Sequence, residues 1–369
     1  MRIGYDAKRL FHNASGLGNY SRNLVRILAT SFSKNEYFLY NPKKGTLNRW
    51  KPLANTFEKQ PKGIWRSFHA LWRQGPVNRH LIKDSVDLFH GLSGELPKGL
   101  KIPSVVTVHD LIFYRYPKLY NPIDVFIHKR KVNHAVRTAT QVVAISEQTK
   151  ADLIQFTGID ESKIEVIYQG CHPVFKTVLS EDNKDDIRKK YQLPKKFVLF
   201  VGTLEERKNA LSIAKALNDA TQHMVFVGKV KSHGEKLKTF VKENKMQDRV
   251  VFIENISIEE LAGVYQCATV FCYPSFFEGF GIPIIEALYS GVPVITTKGG
   301  CFSEAGGPSS VYIDPSEEKS IQDAVQILFS ETSSERNKRI MKGKEYVRKF
   351  NDKVLAAQWN ALYKSIAHA

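Results

Sequence analysis

Short apolar runs alternate with amphipathic segments along this chain, and the alternation occurs in two separate series. Short runs rich in β-branched residues are typical of buried strands, and the segments between them have the spacing of helices. Because a strand–helix–strand unit places its helix on one face of a parallel sheet, each series predicts a doubly wound α/β domain. The 369 residues suit two such domains.

The first series predicts an N-terminal Rossmann-like domain over residues 1–180, which we expect to bind the acceptor of a transfer reaction. Its predicted strands are Arg2–Asp6, Tyr37–Tyr40, Val86–His90, Ser104–His109, Gln141–Ile145 and Ile164–Ile167. Its predicted helices are Gly18–Ser31, Asp124–Thr140 and a helix capped by Ser146.

The charged stretch Ser180–Lys190 is predicted to link this domain to a second Rossmann-like domain over residues 190–350. The predicted strands are Phe197–Val201, Met224–Val227, Val250–Ile253, Thr269–Cys272 and Val292–Thr296. The predicted helices are Asn209–Ala220, Ile258–Cys267, Pro283–Ser290, Glu317–Phe329 and Ser333–Ala367. We expect residues 351–369 to form a C-terminal helix that packs back on the first domain.

The positive charge of the chain is concentrated in its first half. The whole chain holds 54 Lys and Arg against 37 Asp and Glu, whereas the first 180 residues hold 27 against 13. Such a surface can attract nucleic acid, anionic lipid or a phosphorylated substrate. A nucleic-acid-binding protein is disfavoured, because the sequence has no zinc-ligand spacing, RNP-type aromatic motif or disordered basic tail.

The sequence has no apolar run near the roughly 20 residues that cross a bilayer, and its opening MRIGYDAKRL does not resemble a secretory signal. The four cysteines lack CxxC spacing and predict buried, reduced thiols. We therefore expect a cytoplasmic protein.

The most specific motif is Pro274–Gly291, which has the sequence PSFFEGFGIPIIEALYSG. Pro283 suits the first position of a helix and the final glycine suits its end, so the helix is predicted to begin directly after GFG. The free amides of a helix start bind anions, and glycines let a ligand approach the backbone. The motif therefore predicts a substrate-binding site at Phe280, Gly281 and Ile282.

Four charged residues are predicted to serve the same site. Glu278 precedes the helix and Glu286 lies one turn inside it, and carboxylates can accept hydrogen bonds from neighbouring hydroxyl groups. Arg207 and Lys208 follow the first strand of the second domain, where two cations can neutralise a leaving diphosphate. An ordinary surface turn with solvated acids is the alternative.

These motifs resemble glycosyltransferase family 4 (group 1), whose members are retaining GT-B enzymes. Glu278 and Glu286 match its pair of glutamates separated by seven residues, and Gly202–Asn209 matches its strand end. Further matches are Gly291–Ile295, Glu304, Gly306 and Gly307. One departure concerns the nucleotide base, because Glu254-Asn255 stands where the family usually has glycine.

The resemblance implies a GT-B fold, with two Rossmann-like domains facing a central cleft, and retaining transfer of a hexose from a nucleotide diphosphate sugar. Glu286 would hold the ribose, Glu278 the sugar hydroxyls, and Arg207 and Lys208 the diphosphate. Mannose, from GDP-mannose, is favoured by similarity to bacterial polysaccharide and lipopolysaccharide mannosyltransferases. The expected acceptor is a saccharide or a lipid-diphosphate-linked saccharide. A sugar-nucleotide epimerase or phosphorylase of the same fold is the alternative.

Neither a metal nor a cofactor is expected, and nucleic acid is not an expected partner. Metal-dependent transferases use an Asp-x-Asp pair to hold the ion against the diphosphate, and the sequence has no such pair. Arg207, Lys208 and the helix amides would supply that charge instead.

In the first domain the candidate residues follow the predicted strands. Gly16 and Gly18 lie in ASGLGNYS, but Ser21 replaces the third glycine of a dinucleotide fingerprint, so a dehydrogenase is disfavoured. The resemblance implies that both glycines contact donor phosphate and acceptor. It also places His109, with Asp110 beside it, next to the donor sugar.

Aromatic and basic residues are interleaved over residues 43–83. Trp65, Phe68 and Trp72 have the spacing i, i+3, i+7, which predicts one face of a helix flanked by cations such as Arg73. One interpretation is a stripe that faces the core. The other is a peripheral surface on an anionic membrane that carries a lipid-linked acceptor.

Overall fold

The computed structural model describes residues 1–45, 47 and 49–367, which divide into two compact units. The first unit comprises residues 1–170 and Phe350–Ala369, and the second comprises Cys171–Lys349. The division therefore lies ten residues before the predicted boundary at residue 180.

Among the described residues, the part of the first unit before residue 171 contains seven strands and seven helices. Its strands are β1 (Arg2–Asp6), β2 (Glu36–Tyr40), β3 (Thr56–Lys59), β4 (Leu88–Gly91), β5 (Ser104–Val108), β6 (Gln141–Ala144) and β7 (Ile164–Val166). Its helices are α1 (Lys8–His12), α2 (Gly16–Ser31), α3 (His69–Trp72), α4 (Asn78–Lys83), α5 (Ile112–Arg115), α6 (Pro122–Thr138) and α7 (Glu147–Thr157).

The second unit has six strands and eight helices among the described residues. Its strands are β8 (Phe197–Val201), β9 (His223–Val227), β10 (Val250–Ile253), β11 (Val270–Tyr273), β12 (Val294–Thr297) and β13 (Val311–Ile313). Its helices are α8 (Glu181–Tyr191), α9 (Ala210–Ala216), α10 (Ser232–Glu243), α11 (Ile258–Cys267), α12 (Ile282–Tyr289), α13 (Gly300–Gly306), α14 (Glu318–Ser330) and α15 (Ser333–Tyr346). The last helix, α16 (Asp352–Ala367), returns to the first unit.

Both sheets are parallel throughout, as the alternating sequence predicts. The first has the order β3-β2-β1-β4-β5-β6-β7, and the second has the order β10-β9-β8-β11-β12-β13. The strand order reverses between β1 and β4 and between β8 and β11. In open α/β sheets, ligands bind beyond the carboxyl ends of strands at such a reversal.

Helix α16 completes the core of the first unit. It packs on α2, and its Trp359 and Tyr363 are buried. Tyr363 also binds the buried His90, whose Nδ1 lies 2.7 Å from the tyrosine hydroxyl. The other face of the sheet packs against α6, which contributes buried Val132 and Val136.

The predicted linker is wrong, because Ser180–Lys190 forms most of α8. The Ser180 hydroxyl caps this helix by accepting a hydrogen bond from the amide of Asn183 at 3.3 Å. Acids occupy the first turn and cations the last, which complements the helix dipole. The run of charged residues that suggests a linker therefore belongs to a helix, and this helix packs on α11.

The single amphipathic helix predicted around Trp65 is also wrong. The chain forms a 3₁₀ turn over Gly63–Arg66 and then the four-residue α3. Trp72 is completely buried, whereas Phe68 is 51% exposed, so the aromatic side chains do not share one face.

The long helix predicted over Ser333–Ala367 is two helices. Helix α15 ends at Tyr346, and the chain turns through the 3₁₀ segment Val347–Phe350, whose first and last side chains are buried. Within the described ranges, no helix combines the length and apolarity needed to cross a membrane.

Candidate active site

Glu278, Arg207 and Lys208 come together where the strand order of the second sheet reverses. Both cations lie in a 3₁₀ turn that follows β8, and Glu278 lies in the loop after the neighbouring β11. Oε1 of Glu278 lies 2.5 Å from Nζ of Lys208 and 2.8 Å from Nη1 of Arg207. The adjacent ends of two parallel strands therefore bring the predicted charges into one cluster.

Three residues that the sequence analysis did not single out complete this cluster. The hydroxyl groups of Tyr273 and Ser275 donate hydrogen bonds to Oε1 of Glu278, at 3.0 and 2.8 Å. Glu205 accepts from Nη2 of Arg207 at 2.9 Å. Tyr273 is the last residue of β11, and Ser275 lies in the loop that follows. Their position at the end of a strand is the sequence feature that could have identified them.

The cluster keeps Glu278 ionised. Burial acts to raise the pKa of Glu278, but Lys208 and Arg207 outweigh it and lower that pKa to about 2. Burial lowers the pKa of Lys208, and Glu278 opposes that shift. The site thus holds a fixed carboxylate beside two cationic groups, a combination suited to sugar hydroxyls and phosphate oxygens.

Helix α12 begins at Ile282, directly after the glycine-containing loop and one residue before the predicted start at Pro283. Its N-cap is Gly281, whose φ of 115° is a conformation that other residues rarely adopt. A Cβ there would also lie 3.0 Å from Cδ1 of Ile284. Phe280 is buried, and Pro283 is the second residue of the helix. The helix begins four residues after Glu278 along the chain, and its N-terminal end carries the positive end of the helix dipole.

Glu286 has a different environment from Glu278. Its Oε2 accepts a hydrogen bond from the hydroxyl of Tyr265 at 3.1 Å. Burial raises the pKa of Glu286 to about 7, and the Tyr265 hydrogen bond only partly opposes it. A carboxyl group in this state is close to half-protonated at neutral pH.

The departure from the family pattern lies at the end of β10. Asn255 has φ of 57°, the left-handed conformation that glycine adopts without strain and that asparagine tolerates. Oε2 of Glu254 accepts a hydrogen bond from the amide of Val230 at 3.1 Å. The backbone conformation of Asn255 is therefore one that glycine could also adopt. Glu254 adds a carboxylate at this end of β10.

His109 follows β5, and both of its ring nitrogens have protein partners. Nε2 lies 2.9 Å from the carbonyl oxygen of Leu92, and Nδ1 accepts from the side-chain amide of Gln169 at 2.9 Å. Burial lowers the pKa of His109 to about 4, despite the contact with Leu92. The ring is therefore neutral, and its edge packs on Tyr20 with the ring centroids 4.5 Å apart. A sugar contact from either nitrogen would have to replace one of these hydrogen bonds.

Gly16 and Gly18 lie in the first turn of α2, which begins at Gly16, two residues before the predicted start at Gly18. A Cβ on Gly18 would fall 1.9 Å from the carbonyl oxygen of Asn13, so the local packing itself requires glycine there. Among the residues that the structure describes, a Cβ on Gly16 would meet nothing within 4 Å, which leaves room for a ligand. Asp110 accepts a hydrogen bond from the amide of Ile112 at 3.1 Å.

Two protein families match the two halves of the chain in order. Residues 15–174 match Glycosyltransferase Family 4, and residues 183–346 match Glycosyl transferases group 1. The chain belongs to these glycosyltransferases. The cluster around Glu278 and both motif glutamates lie in the group 1 segment, whereas His109 lies in the family 4 segment.

The relatives of this glycosyltransferase include enzymes of bacterial surface polysaccharides. O-antigen chain mannosyltransferase B of Escherichia coli is 23% identical over 86% of this chain and 87% of that protein. O-antigen chain mannosyltransferase RfbU of Salmonella typhimurium is 30% identical over 60% of this chain and 59% of that protein. The structure of Anabaena HepE in complex with UDP and glucose is 16% identical, with a TM-score of 0.76 over 99% of both chains. The predicted GT-B fold of two Rossmann-like domains is confirmed.

Proposed function

We propose that this glycosyltransferase moves a hexosyl group, preferably mannosyl, from a nucleotide diphosphate sugar to a hydroxyl of a saccharide or lipid-diphosphate-linked saccharide, with retention. The observation that carries the proposal is the cluster of Glu278, Arg207 and Lys208 at the strand-order reversal, beside the start of α12. This arrangement offers a carboxylate to sugar hydroxyls and cations to a diphosphate.

The cations stabilise the leaving group. As the bond from the anomeric carbon to the diphosphate oxygen breaks, negative charge develops on the diphosphate. Arg207 and Lys208 donate charge-assisted hydrogen bonds to it, and the start of α12 adds the positive end of a helix dipole. These groups supply the charge that a divalent cation provides in metal-dependent transferases, and we propose a metal-independent reaction on that ground.

Retention follows from attack on the face that the leaving group departs from. The acceptor oxygen forms the new bond to the anomeric carbon, and its proton passes to an oxygen of the departing diphosphate. Glu278 is held as a carboxylate by two cations and two hydroxyl donors, so it is suited to orienting the sugar rather than to attacking it. Glu286 accepts the ribose hydroxyls.

The donor and acceptor are proposed from the relatives. Two relatives are named as O-antigen mannosyltransferases, which favours mannose and a surface polysaccharide of the lipopolysaccharide type. HepE was crystallised with UDP and glucose, so uracil is the base to test against guanine. We propose action on the cytoplasmic face of a membrane, where a lipid-linked acceptor is exposed.

The test compares GDP-mannose, UDP-glucose and the ADP and dTDP sugars as donors, with and without a chelator. We expect GDP-mannose to be consumed only when an acceptor is present, at a rate that the chelator leaves unchanged, giving the α-linked product by NMR. Loss of activity in the chelator with recovery in Mn²⁺ would refute metal independence. Donor turnover without an acceptor would instead assign an epimerase or hydrolytic activity.

A further inference from the structure

A continuous stretch of the first unit, from Leu119 to Ile127, exposes large apolar side chains to water. Ile123 is 68% exposed, Phe126 is 65% exposed and Leu119 is 52% exposed. Tyr120 and Ile127 are also exposed. Single exposed apolar residues are common on protein surfaces, but contiguous groups mark interaction sites.

The outer face of α6 changes character along its length. The face toward the core carries the buried Val125, Val132 and Val136. On a helix with 3.6 residues per turn, Ile123, Phe126, Ile127, Arg130 and Arg137 project from the opposite side. The outer face is therefore apolar over its first turns and cationic over its last.

The segment that carries this face has an almost entirely positive charge. Between Lys118 and Thr138, Asp124 is the sole acidic residue. Within the described chain, Lys118, Lys129, Arg130 and Arg137 form no ion pair with a carboxylate. Lys131, in contrast, pairs with Glu95, its Nζ lying 3.3 Å from Oε1.

A groove runs beside the cationic half of α6. It has a volume of about 520 Å³ and is lined by Phe126, Lys129, Arg130, His134 and Arg137 among others. Nε2 of His134 is buried there and makes no hydrogen bond to the described residues. Lys129, Arg130 and Arg137 place three cations along the groove, a combination suited to phosphate oxygens.

We propose that this α6 surface docks on an anionic lipid bilayer. The α6 surface comprises Leu119, Tyr120, Ile123, Phe126, Ile127, Lys129, Arg130 and Arg137. Its apolar half enters the boundary between headgroups and acyl chains, and its cationic half binds lipid phosphates. The inference goes beyond the transfer reaction, because it assigns a partner to a face remote in sequence from the donor-binding motifs.

A second copy of the chain fits this face less well than a bilayer does. A symmetric pair that buried Ile123 and Phe126 would also bring the cations of one copy near those of the other. Like charges at an interface are unfavourable, whereas a bilayer offers hydrocarbon and phosphate in adjacent layers. The charge of the α6 surface therefore selects the anionic membrane.

The segment that the sequence first suggested as a membrane surface provides a matched control. Its Ile64 and Phe68 are 68% and 51% exposed, so they match Ile123 and Phe126 in size and exposure. Their replacement removes apolar surface from another basic part of the same unit. Trp72 is buried and Arg73 binds Asp6 and Glu95, so neither is available to lipid.

The test is sedimentation of the full chain with vesicles of phosphatidylcholine, alone or with about one-third phosphatidylglycerol. We expect binding to the anionic vesicles at low salt and at least about tenfold weaker partitioning at roughly 0.5 M salt. Ile123→Ser with Phe126→Ser, and separately Arg130→Glu with Arg137→Glu, should each weaken partitioning by about tenfold or more. Ile64→Ser with Phe68→Ser should bind as the parent does.

Thermal unfolding and binding of free nucleotide are measured on the same variants. Unchanged values show that these exposed substitutions preserve the fold and the donor site, whatever the vesicles show. The proposal is overturned if the parent chain ignores anionic vesicles, or if the control pair loses binding and the α6 pairs do not. A self-associating parent chain that Ile123→Ser with Phe126→Ser makes monomeric, without vesicle binding, would assign the face to a second copy.

Discussion

Glu278 is the counter-ion of two cations before any substrate binds, and this predicts how its removal acts. In Glu278→Gln, Arg207 and Lys208 lose their negative partner and become more available to phosphate. Free nucleotide diphosphate should bind as well as before or more tightly, whereas transfer should slow by about ten- to a hundredfold, because a charged hydrogen bond to the sugar is lost. Titration calorimetry with nucleotide and a transfer assay measure the two effects.

Glu286→Gln should weaken nucleotide binding, which Glu278→Gln should not. It removes the proposed ribose contact, so donor and free nucleotide should weaken together by about tenfold. Glu206→Gln is the matched control, since Glu206 is an exposed acid beside Arg207. Equal loss of nucleotide binding in the Glu278 and Glu286 variants would show that their roles are misassigned.

The two carboxyl groups also predict opposite pH dependences of stability. Glu286 has its pKa raised from 4.5 to about 7, so its contribution is fully present below pH 4.5 and is lost as pH rises through 7. Glu278 has its pKa lowered to about 2, so its contribution is present above pH 4.5 and is lost as pH falls through 2. In Glu286→Gln the loss of stability as pH rises through 7 should disappear, because glutamine does not titrate.

Urea unfolding at pH 5 and pH 8 measures the Glu286 effect. The free energy of unfolding should fall less between these two pH values in Glu286→Gln than in the parent, by an amount on the order of 1–3 kcal/mol. Glu206→Gln should follow the parent. Identical pH profiles for the parent and Glu286→Gln would contradict the raised pKa.

Residue patterns predicted the charged members of the site but not their environments. Glu278, Glu286, Arg207 and Lys208 were found because they stand at strand ends or in a motif. The sequence could not show that Tyr265 binds Glu286, because contacts between residues distant along the chain depend on packing.

At the scale of elements, α16 is held by a buried polar network as well as by apolar packing. The Tyr363 hydroxyl lies 2.7 Å from Nδ1 of His90 and 3.2 Å from the hydroxyl of Tyr5. Nε2 of His90 lies 2.7 Å from Oγ1 of Thr107. Burial lowers the pKa of His90 to about 3, so the network is neutral.

Tyr363→Phe should destabilise the first unit by about 1–3 kcal/mol, because it leaves a buried nitrogen of His90 without a partner. Ser365→Ala is the control on the exposed side of the same helix, and it should change stability by less than about 0.5 kcal/mol. Denaturant unfolding measures both. Equal stability of Tyr363→Phe and the parent would show that the network contributes little.

Elements with strong periodicity were predicted closely, and polar or short ones were not. Strands β1, β8 and β10 and helix α11 have the predicted bounds, because apolar periodicity dominates there. The sequence of helix α8 is typical of a linker, because it has no buried residue and therefore shows no apolar periodicity.

At the scale of the molecule, the boundary between the units depends on tertiary packing rather than on composition. Phe175 lies before the charged stretch, but its buried ring packs on Tyr265 of the second unit with the centroids 5.5 Å apart. Residues 171–180 accordingly belong to the second unit. The two-domain architecture was predictable, and the exact boundary was not.

The division into units predicts where a nucleotide acts. Arg207, Lys208, Glu278 and Glu286 all belong to the second unit, so a nucleotide diphosphate without a sugar should stabilise that unit first. Hydrogen exchange with and without GDP should show slower exchange of amides in residues 202–209 and 276–286, with the strands of the first unit unchanged. In the chain carrying both Arg207→Ala and Lys208→Ala, this protection should be lost. Protection confined to the first unit would contradict the assignment, because the cations proposed to bind the diphosphate are absent from it.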